Sequence, residues 1–455
     1  MRTHLNSFLH WIHTLSPYKL LLFFYMIAVF ISAILMSLPF VYQEGANIAF
    51  IDRLFTAVSA LTVTGLSTIS IADNLSSVGI IILAFIMQIG ALGVMAIGTL
   101  IWLFLGKKVG LKERRLIMTD QNQTTFEGMV RLIKQLVYVL LTIELVAFLI
   151  LGTYFMKYFP NMGEAYMNGF FHTISAVSNG GFALSDDSLA LFNGDYFVQL
   201  VMMLLIIFGA IGFPVLIEVK EFLAAKIKHN HARRFSLFAK LTTATFLMLV
   251  LIGTLFIYLL DADDFFAGRP WHESLSYALF QSVTTRSGGL STMDVSQLTE
   301  ENHLFMTLLM FIGASPSSAG GGIRTTTFAL VVLFIIAYAR GKRNIRIFNR
   351  EVYEEDVLKA LTVVFVAIML VIVSSMLISI AEPLSLYAIL FEATSAFGTV
   401  GLSLGITGEL SVFSKVTLML LMFVGRIGII TLLFIFKPNK ERSSIHYPKE
   451  KMIIG

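Results

Sequence analysis

The sequence predicts an all-α polytopic membrane protein of four parallel units, each a membrane span, a re-entrant helix and a second span, set around a central pore. Three observations carry that reading: an apolar composition, eight apolar runs of spanning length whose connections alternate in charge, and four copies of one short glycine-ended segment. Of 455 residues, 56% are hydrophobic and 14% charged. With 40 Phe, 21 Met and so few charges, the chain has no polar skin for a water-soluble core, and disordered and collagen-like classes fall with that one. Cys is absent, which removes thiolate metal sites, iron–sulfur clusters, cysteine nucleophiles and disulfides together. The net charge is only +4, so the placement of the charges matters more than their sum.

About 20 apolar residues cross about 30 Å of hydrocarbon. On that measure the first unit, 1–124, has spans at 20–40 and 78–105 and a pore loop at 52–66. The second, 125–236, has spans at 132–156 and 198–219 and a pore loop at 166–182. The third, 237–350, has spans at 241–260 and 304–339, a pore loop at 272–290 and a glycine- and serine-rich loop at 313–322 within the second span. The fourth, 351–455, has spans at 357–380 and 416–436, a pore loop at 385–402 and a short tail. The first run is too long for a signal-peptide core and lacks a small-residue cleavage site, so it is expected to stay as a span.

Basic residues gather in every second connection. They are Lys107, Lys108, Lys112, Arg114 and Arg115; Lys220, Lys226, Lys228, Arg233, Arg234 and Lys240; Arg340, Lys342, Arg343, Arg346 and Arg350. The tail adds Lys437, Lys440, Arg442, Lys449 and Lys451. The other connections carry Asp73, Asp186, Asp187, Asp195, Asp261, Asp263, Asp264, Asp294, Glu300, Glu301 and Glu409. By the positive-inside rule, the basic connections and both termini are cytoplasmic.

Each acidic connection holds a short apolar segment ending in Gly: Phe55-Thr-Ala-Val-Ser-Ala-Leu-Thr-Val-Thr-Gly65, Phe171-His-Thr-Ile-Ser-Ala-Val-Ser-Asn-Gly-Gly181, Phe280-Gln-Ser-Val-Thr-Thr-Arg-Ser-Gly-Gly289 and Phe391-Glu-Ala-Thr-Ser-Ala-Phe-Gly-Thr-Val-Gly401. The last glycines lie 116, 108 and 112 residues apart, so the units are repeats that all point the same way. Inverted-repeat carriers enter from opposite faces; parallel units about an axis along the bilayer normal enclose a path. Non-helical backbone at membrane depth is tolerated only when buried in protein or lining water, which places the four loops together around that path. Each short helix then aims its C-terminal end, with its partial negative charge, at the axis. Glycine accepts positive φ, which lets carbonyls turn inward and replace the hydration shell of an ion. In one loop alone the plainer account is a helix-ending turn; four aligned copies outweigh it.

Two further features lie in the second spans. Gly313-Ala314-Ser315-Pro316-Ser317-Ser318-Ala319-Gly320-Gly321-Gly322 cannot stay helical, since Gly costs about 1 kcal/mol and Pro about 3 in a helix interior. The break belongs inside the bundle, in the ion path, although a kinked helix held by its neighbours is the alternative. Arg426, between Gly425 and Gly428, is too deep to snorkel. It is either a cation in the path that contacts the loop carbonyls or the partner of Glu144 or Glu392. Arg286 is expected to pair with a carboxylate, and His172 and His272 to pack at the interface. Gly401-Leu-Ser403-Leu-Gly405 matches a nucleophile pattern, but no His lies in a span to act as base, and phosphate-binding and His-Glu-x-x-His motifs are absent, so no enzyme activity is expected.

Thr-Val-Thr-Gly-Leu66, Ser-Asn-Gly-Gly-Phe182, Ser-Gly-Gly-Leu290 and Gly-Thr-Val-Gly-Leu402, with Gln88-Ile-Gly-Ala-Leu-Gly93, Lys107-Lys-Val-Gly-Leu-Lys-Glu-Arg114, the stretch 313–322 and Gly425-Arg426-Ile-Gly428, resemble the Trk/Ktr/HKT superfamily of potassium transporters. The resemblance covers nearly the whole chain and is nearest to bacterial Ktr membrane subunits of the KtrB and KtrD type. It implies a selectivity filter of Thr62, Val63, Thr64 and Gly65; Ser178, Asn179, Gly180 and Gly181; Arg286, Ser287, Gly288 and Gly289; Gly398, Thr399, Val400 and Gly401. It implies potassium preference from Gly in all four units, a movable gate at Gly313 to Gly322, and Arg426 below the filter. The third unit has one residue fewer between Phe280 and Gly289. Potassium is then the transported substrate, with sodium activation known in the family and no organic cofactor in this chain. The implied partners are a second copy, as a homodimer in the bacterial cytoplasmic membrane, and an octameric cytosolic ring of KtrA or KtrC type that binds ATP or ADP. No nucleic acid is implied. The basic connections would face that ring or anchor to anionic lipid. The rival function is a secondary carrier coupling a solute to sodium or protons.

Overall fold

The structure, a computed structural model, describes residues 15–106, 109–121, 128–227, 234–342 and 344–435, with positions 448, 450 and 452. Lys107, Lys108, Lys228, Arg233, Arg343, Lys437, Lys440, Arg442, Lys449 and Lys451 lie outside the described residues. Within them the chain is nearly all helical; a two-stranded ribbon pairs Arg346–Ile347 with Arg350–Glu351.

Each unit opens on a straight outer helix: Pro17–Met36, Met129–Phe155, Leu237–Leu260 and Glu354–Ala381. At 20, 27, 24 and 28 residues, and 1.5 Å of rise each, all four reach across about 30 Å. Ser16 and Ser236 start two of them by accepting the N–H of Lys19 and Ala239. Their outward faces leave Phe30, Leu251 and Phe365 bare, as a lipid-facing surface allows. A pore helix follows in each unit: Phe50–Thr62, Met162–Val177, Trp271–Thr284 and Leu386–Gly398. With 13 to 16 residues, these are too short to span.

The inner helices differ from the straight spans expected at 78–105, 198–219 and 416–436. Ser77–Leu92 meets Val94–Phe104 at 97°, Tyr196–Ala210 meets Phe213–Ile227 at 106°, and Val412–Ile427 meets Ile429–Ile435 at 96°. The corners are Gly93, Gly212 and Gly428 at φ +88°, +98° and +89°, a region that a side chain makes costly. In the third unit the break is longer: Glu300–Ile312 and Thr325–Ala339 are joined by a non-helical stretch that begins at Gly313. Hydropathy missed the corners because both arms stay apolar through the bend.

The cores interlock in order around the ring. Phe171 of the second unit packs in the first unit's core, Phe280 of the third in the second's, Phe391 of the fourth in the third's, and Phe55 of the first in the fourth's. All four are fully buried. A buried ion pair, Lys415 Nζ to Asp52 Oδ1 at 2.8 Å, ties the fourth unit to the first. One closed ring of four units results.

Candidate ion-conduction site

The pore helices end where their loops turn left-handed. Val63, Asn179, Ser287 and Thr399 have φ of +58°, +58°, +67° and +46°, and two residues later Gly65, Gly181, Gly289 and Gly401 have +93°, +70°, +73° and +97°. Alternating hand along a strand turns successive carbonyls to the same side. The glycines form a ring in chain order. A Cβ on Gly65 would lie 2.8 Å from Gly181 Cα, one on Gly181 would lie 3.1 Å from Gly289 Cα, one on Gly289 would lie 3.4 Å from Gly401 Cα, and one on Gly401 would lie 3.1 Å from Gly65 Cα. A side chain would collide with neighbouring backbone at Gly65, Gly289 and Gly401, and at Gly181 it would be both tight and strained by the positive φ. The other expected loop residues, Thr62, Thr64, Ser178, Gly180, Arg286, Gly288, Gly398 and Val400, are buried beside them.

Each loop is braced by a buried hydroxyl that sequence reasoning did not single out, although the four segments align it. Ser59 Oγ and Ser395 Oγ accept the N–H of Gly65 and Gly401, both at 3.1 Å. Ser175 Oγ and Thr284 Oγ1 instead donate to the carbonyls of Phe182 and Leu290, at 2.6 and 2.5 Å. The missing residue of the third unit falls in the turn after Thr284. There Gly288 N–H reaches back four residues, to Thr284 O, where Thr64, Gly180 and Val400 reach back five, to Ser59, Ser175 and Ser395. The left-handed positions therefore stay in register. Where the extra residue exists, a glycine faces it: a Cβ on Gly90, Gly209 or Gly425 would lie 2.2, 2.2 and 1.9 Å from the carbonyls of Leu61, Val177 and Phe397. The third unit lacks that residue and has Met310 in place of the glycine.

On one side of the ring lies a vestibule of about 830 Å³, lined by the chain just after each glycine and by Asp186, Asp187, Asp294 and Arg269. On the other side runs the stretch after Gly313. Cβ atoms on Gly320 and Gly321 would lie 2.5 Å from Ser287 Oγ and 2.6 Å from Thr399 Oγ1, so the stretch sits directly against the third and fourth loops. Ala314, Ser315, Ser317, Ser318 and Ala319 are buried, and Pro316 is half-buried. Breaking a helix leaves carbonyls without donors. Here Ser315 N–H and Ala319 N–H supply Ala210 O and Gly209 O at 2.9 and 3.0 Å, and Phe213 N–H returns a bond to Ser317 O at 2.8 Å.

Arg426 does the same for the first unit. Its guanidinium donates to Gly90 O, to Ala91 O at 3.2 Å and to Ala319 O of the stretch, so it bridges a helix C-terminus and the loop. A cation is favoured at that end of a helix. Neither expected alternative partner is used. Gln88 Nε2 donates to both oxygens of Glu144 at 2.8 and 3.0 Å, and Glu392 accepts from Ser403 Oγ, from Leu404 N–H at 3.1 Å and from Thr407 Oγ1 at 3.0 Å. Two further straps were not foreseen: Arg324 donates to Ser315 O and Gly320 O, and Ser317 Oγ donates to Gln121 O. Gln121 Nε2 also holds Leu92 O at 3.2 Å.

Arg286 departs from expectation. It is fully buried, and instead of a carboxylate its Nη2 reaches Leu309 O and Thr285 Oγ1. His172 is buried rather than interfacial, bonded through Nδ1 to Asn168 O at 2.9 Å, whereas exposed His272 bonds Tyr196. Ser403 of the nucleophile-like pattern is spent on Glu392. Among the described residues no cluster of His, Asp and Glu could hold a metal ion.

Residues 20–445 match the sequence model of the family described as TrkH, cation transport protein. The chain belongs to that family. As a TrkH-family membrane ion transporter, it is not an enzyme. It is 52% identical, over 98% of each chain, to the Ktr system potassium uptake protein D of Bacillus subtilis (strain 168). It is 36% identical, over 99% of each, to that organism's Ktr system potassium uptake protein B. The crystal structure of the potassium transporter TrkH from Vibrio parahaemolyticus shares its fold, with TM-score 0.71 and 20% identity over 94% of this chain and 86% of that one.

Proposed function

We propose that this chain is the ion-conducting subunit of a Ktr-type system and passes potassium inward down its electrochemical gradient. The observation that carries the reading is the closed ring of Gly65, Gly181, Gly289 and Gly401, built from loops rather than spans, as a filter requires and a carrier site does not. The names of the two Bacillus relatives support potassium as the substrate. The filter comprises Thr62 to Gly65, Ser178 to Gly181, Arg286 to Gly289 and Gly398 to Gly401, and the gate is Gly313 to Gly322 with Arg426. The ion is attracted into the acidic vestibule, shed of water at the ring, and released when the loop beneath withdraws from Ser287 and Thr399.

Both termini and the basic connections face the cytoplasm of a bacterial cell. There a homodimer of this chain docks a separate nucleotide-binding subunit that sets the gate, and sodium acts as an activator. The test is rubidium uptake in a potassium-uptake-deficient bacterium, with and without a cytosolic ring subunit, for the native chain and Gly401→Ser. Native uptake that favours potassium over sodium, lost in Gly401→Ser and raised by the ring subunit, supports the reading. A native chain that moves no rubidium even with the partner, or a variant with native preference, overturns it.

A further inference from the structure

The four hydroxyls behind the glycine ring have no role in carrying an ion, yet each is wholly buried and each meets the backbone of its loop at the filter glycine or at the residue after it. We propose that Ser59, Ser175, Thr284 and Ser395 are specificity-determining positioning residues that fix where the filter carbonyls stand; this rests on the filter reading above. The loops between helix end and glycine have no sheet or helix ladder to hold them, and a filter discriminates between cations by the position and field of its carbonyls. One backbone bond closes each turn, and side chains complete the brace: Ser287 Oγ donates to Gly398 O at 2.8 Å, and at or just past the glycines themselves the four hydroxyls are in reach.

The four act in two pairs. In the first and fourth units the hydroxyl oxygen takes the N–H of the filter glycine itself, Gly65 or Gly401, and keeps that donor turned from the path. In the second and third units the hydroxyl hydrogen goes to the carbonyl one residue beyond the glycine, Phe182 or Leu290, and keeps that acceptor turned away. Ser59 and Ser395 belong to neighbours in the ring, as do Ser175 and Thr284, so one half of the filter is pinned by its donors and the other by its acceptors. Thr284 holds its place even though the third loop is a residue short, which ties the hydroxyl to the geometry of the site and not to sequence spacing.

Removing a brace has a different sign in the two halves. Ser59→Ala or Ser395→Ala leaves a buried N–H unpaired beside a cation path, which repels the ion; Ser175→Ala or Thr284→Ala frees a carbonyl, which attracts one. All four variants should lose about three- to tenfold of the potassium over sodium preference, the size of one hydrogen bond. Only the first pair should also raise the KM for potassium. The experiment is rubidium uptake by the full chain, with sodium as competitor, normalised to protein in the membrane, and with Ser59→Thr and Thr284→Ser as hydroxyl-retaining controls. Lost preference in the alanine variants, native preference in both controls, and a KM change confined to Ser59→Ala and Ser395→Ala support the proposal. Alanine variants with native preference overturn it, as do controls that lose as much as alanine does. Should one alanine variant fail to reach the membrane, its pair-mate carries the same prediction. A native chain without potassium uptake would sink the filter reading itself, whereas a selective native chain with indifferent variants sinks this inference alone.

Discussion

Replacing Arg426 separates two ways in which a cation below the proposed filter can act. Its guanidinium holds Gly90 O and Ala91 O on one side and Ala319 O of the gate loop on the other. The bonds to the helix carbonyls survive a withdrawal of the loop, because they lie within the fixed wall. The bond to Ala319 does not, so it alone favours the closed state. A hydrogen bond to a charged group is worth about 1.5 to 3 kcal/mol, which corresponds to a shift of about 10- to 150-fold toward open. Arg426→Met should therefore raise basal rubidium flux from proteoliposomes, measured without any cytosolic subunit, by up to that factor. Arg426→Lys keeps the charge but cannot span three carbonyls on two elements. If the latch matters most, Lys leaks nearly as Met does; if the charge alone blocks the path, Lys stays tight. Flux unchanged or lowered in both variants would refute the reasoning.

Three other outcomes are expected. Ser317→Ala removes the strap from the gate loop to Gln121 O and should raise basal flux about tenfold, multiplying with Arg426→Met because the two straps are separate. Lys415→Met or Asp52→Asn leaves one charge of a mostly buried pair uncompensated where the fourth unit meets the first; each should cost about 1 to 3 kcal/mol, seen as a lower melting temperature in detergent, and Lys415→Met with Asp52→Leu should restore most of it. The Glu382 carboxylate, bonded by Ser411 and by Ser414 Oγ at the end of the fourth outer helix, sits below the usual carboxylate range. Its folded pKa is the depressed one, so its contribution is present above the unfolded value and lost as pH falls through the folded one; Glu382→Gln should lower stability at pH 7, where the carboxylate contributes, and flatten the acid sensitivity below about pH 4.

The four pore loops and the non-helical stretch were legible because each violates a local rule that a single sequence exposes: glycine where a helix should continue, proline in an apolar run. The corners of the inner helices were not legible by hydropathy, which sums over a window and is blind to direction. A signal existed. Gly90-Ala-Leu-Gly93, Gly209-Ala-Ile-Gly212 and Gly425-Arg-Ile-Gly428 repeat one pattern, the first glycine admitting a pore-loop carbonyl and the second making the bend. The carbonyl partners of Arg426, Arg286 and Ser317 were beyond reach because backbone oxygens carry no residue identity for a sequence to reveal. Buried charge suggested Glu144 or Glu392 as partners; broken helices supplied carbonyls, and at Arg426 the nearby carboxylate is Asp120, bonded by Tyr25.

That substitution accounts for the proposed gate and Arg426 occurring together. Bending the inner helices opens room beneath the proposed filter, and it also strands C-terminal carbonyls at Ala91, Gly209 and Ala210 inside a membrane, where no lipid can serve them. Two donors answer: Arg426 for the first unit, and the backbone of the gate loop for the second. The third unit can lend its backbone because its break is not one glycine but the twelve residues 313–324, enough chain to cross to its neighbours. Moving the loop away strips donors from Gly209 and Ala210, and only water in the path can replace them. For the gate proposed here, opening and wetting are therefore one event, since a dry open gate would leave buried carbonyls unpaired at about 1 to 3 kcal/mol each. In that proposal the closed state is the one in which protein takes the place of that water.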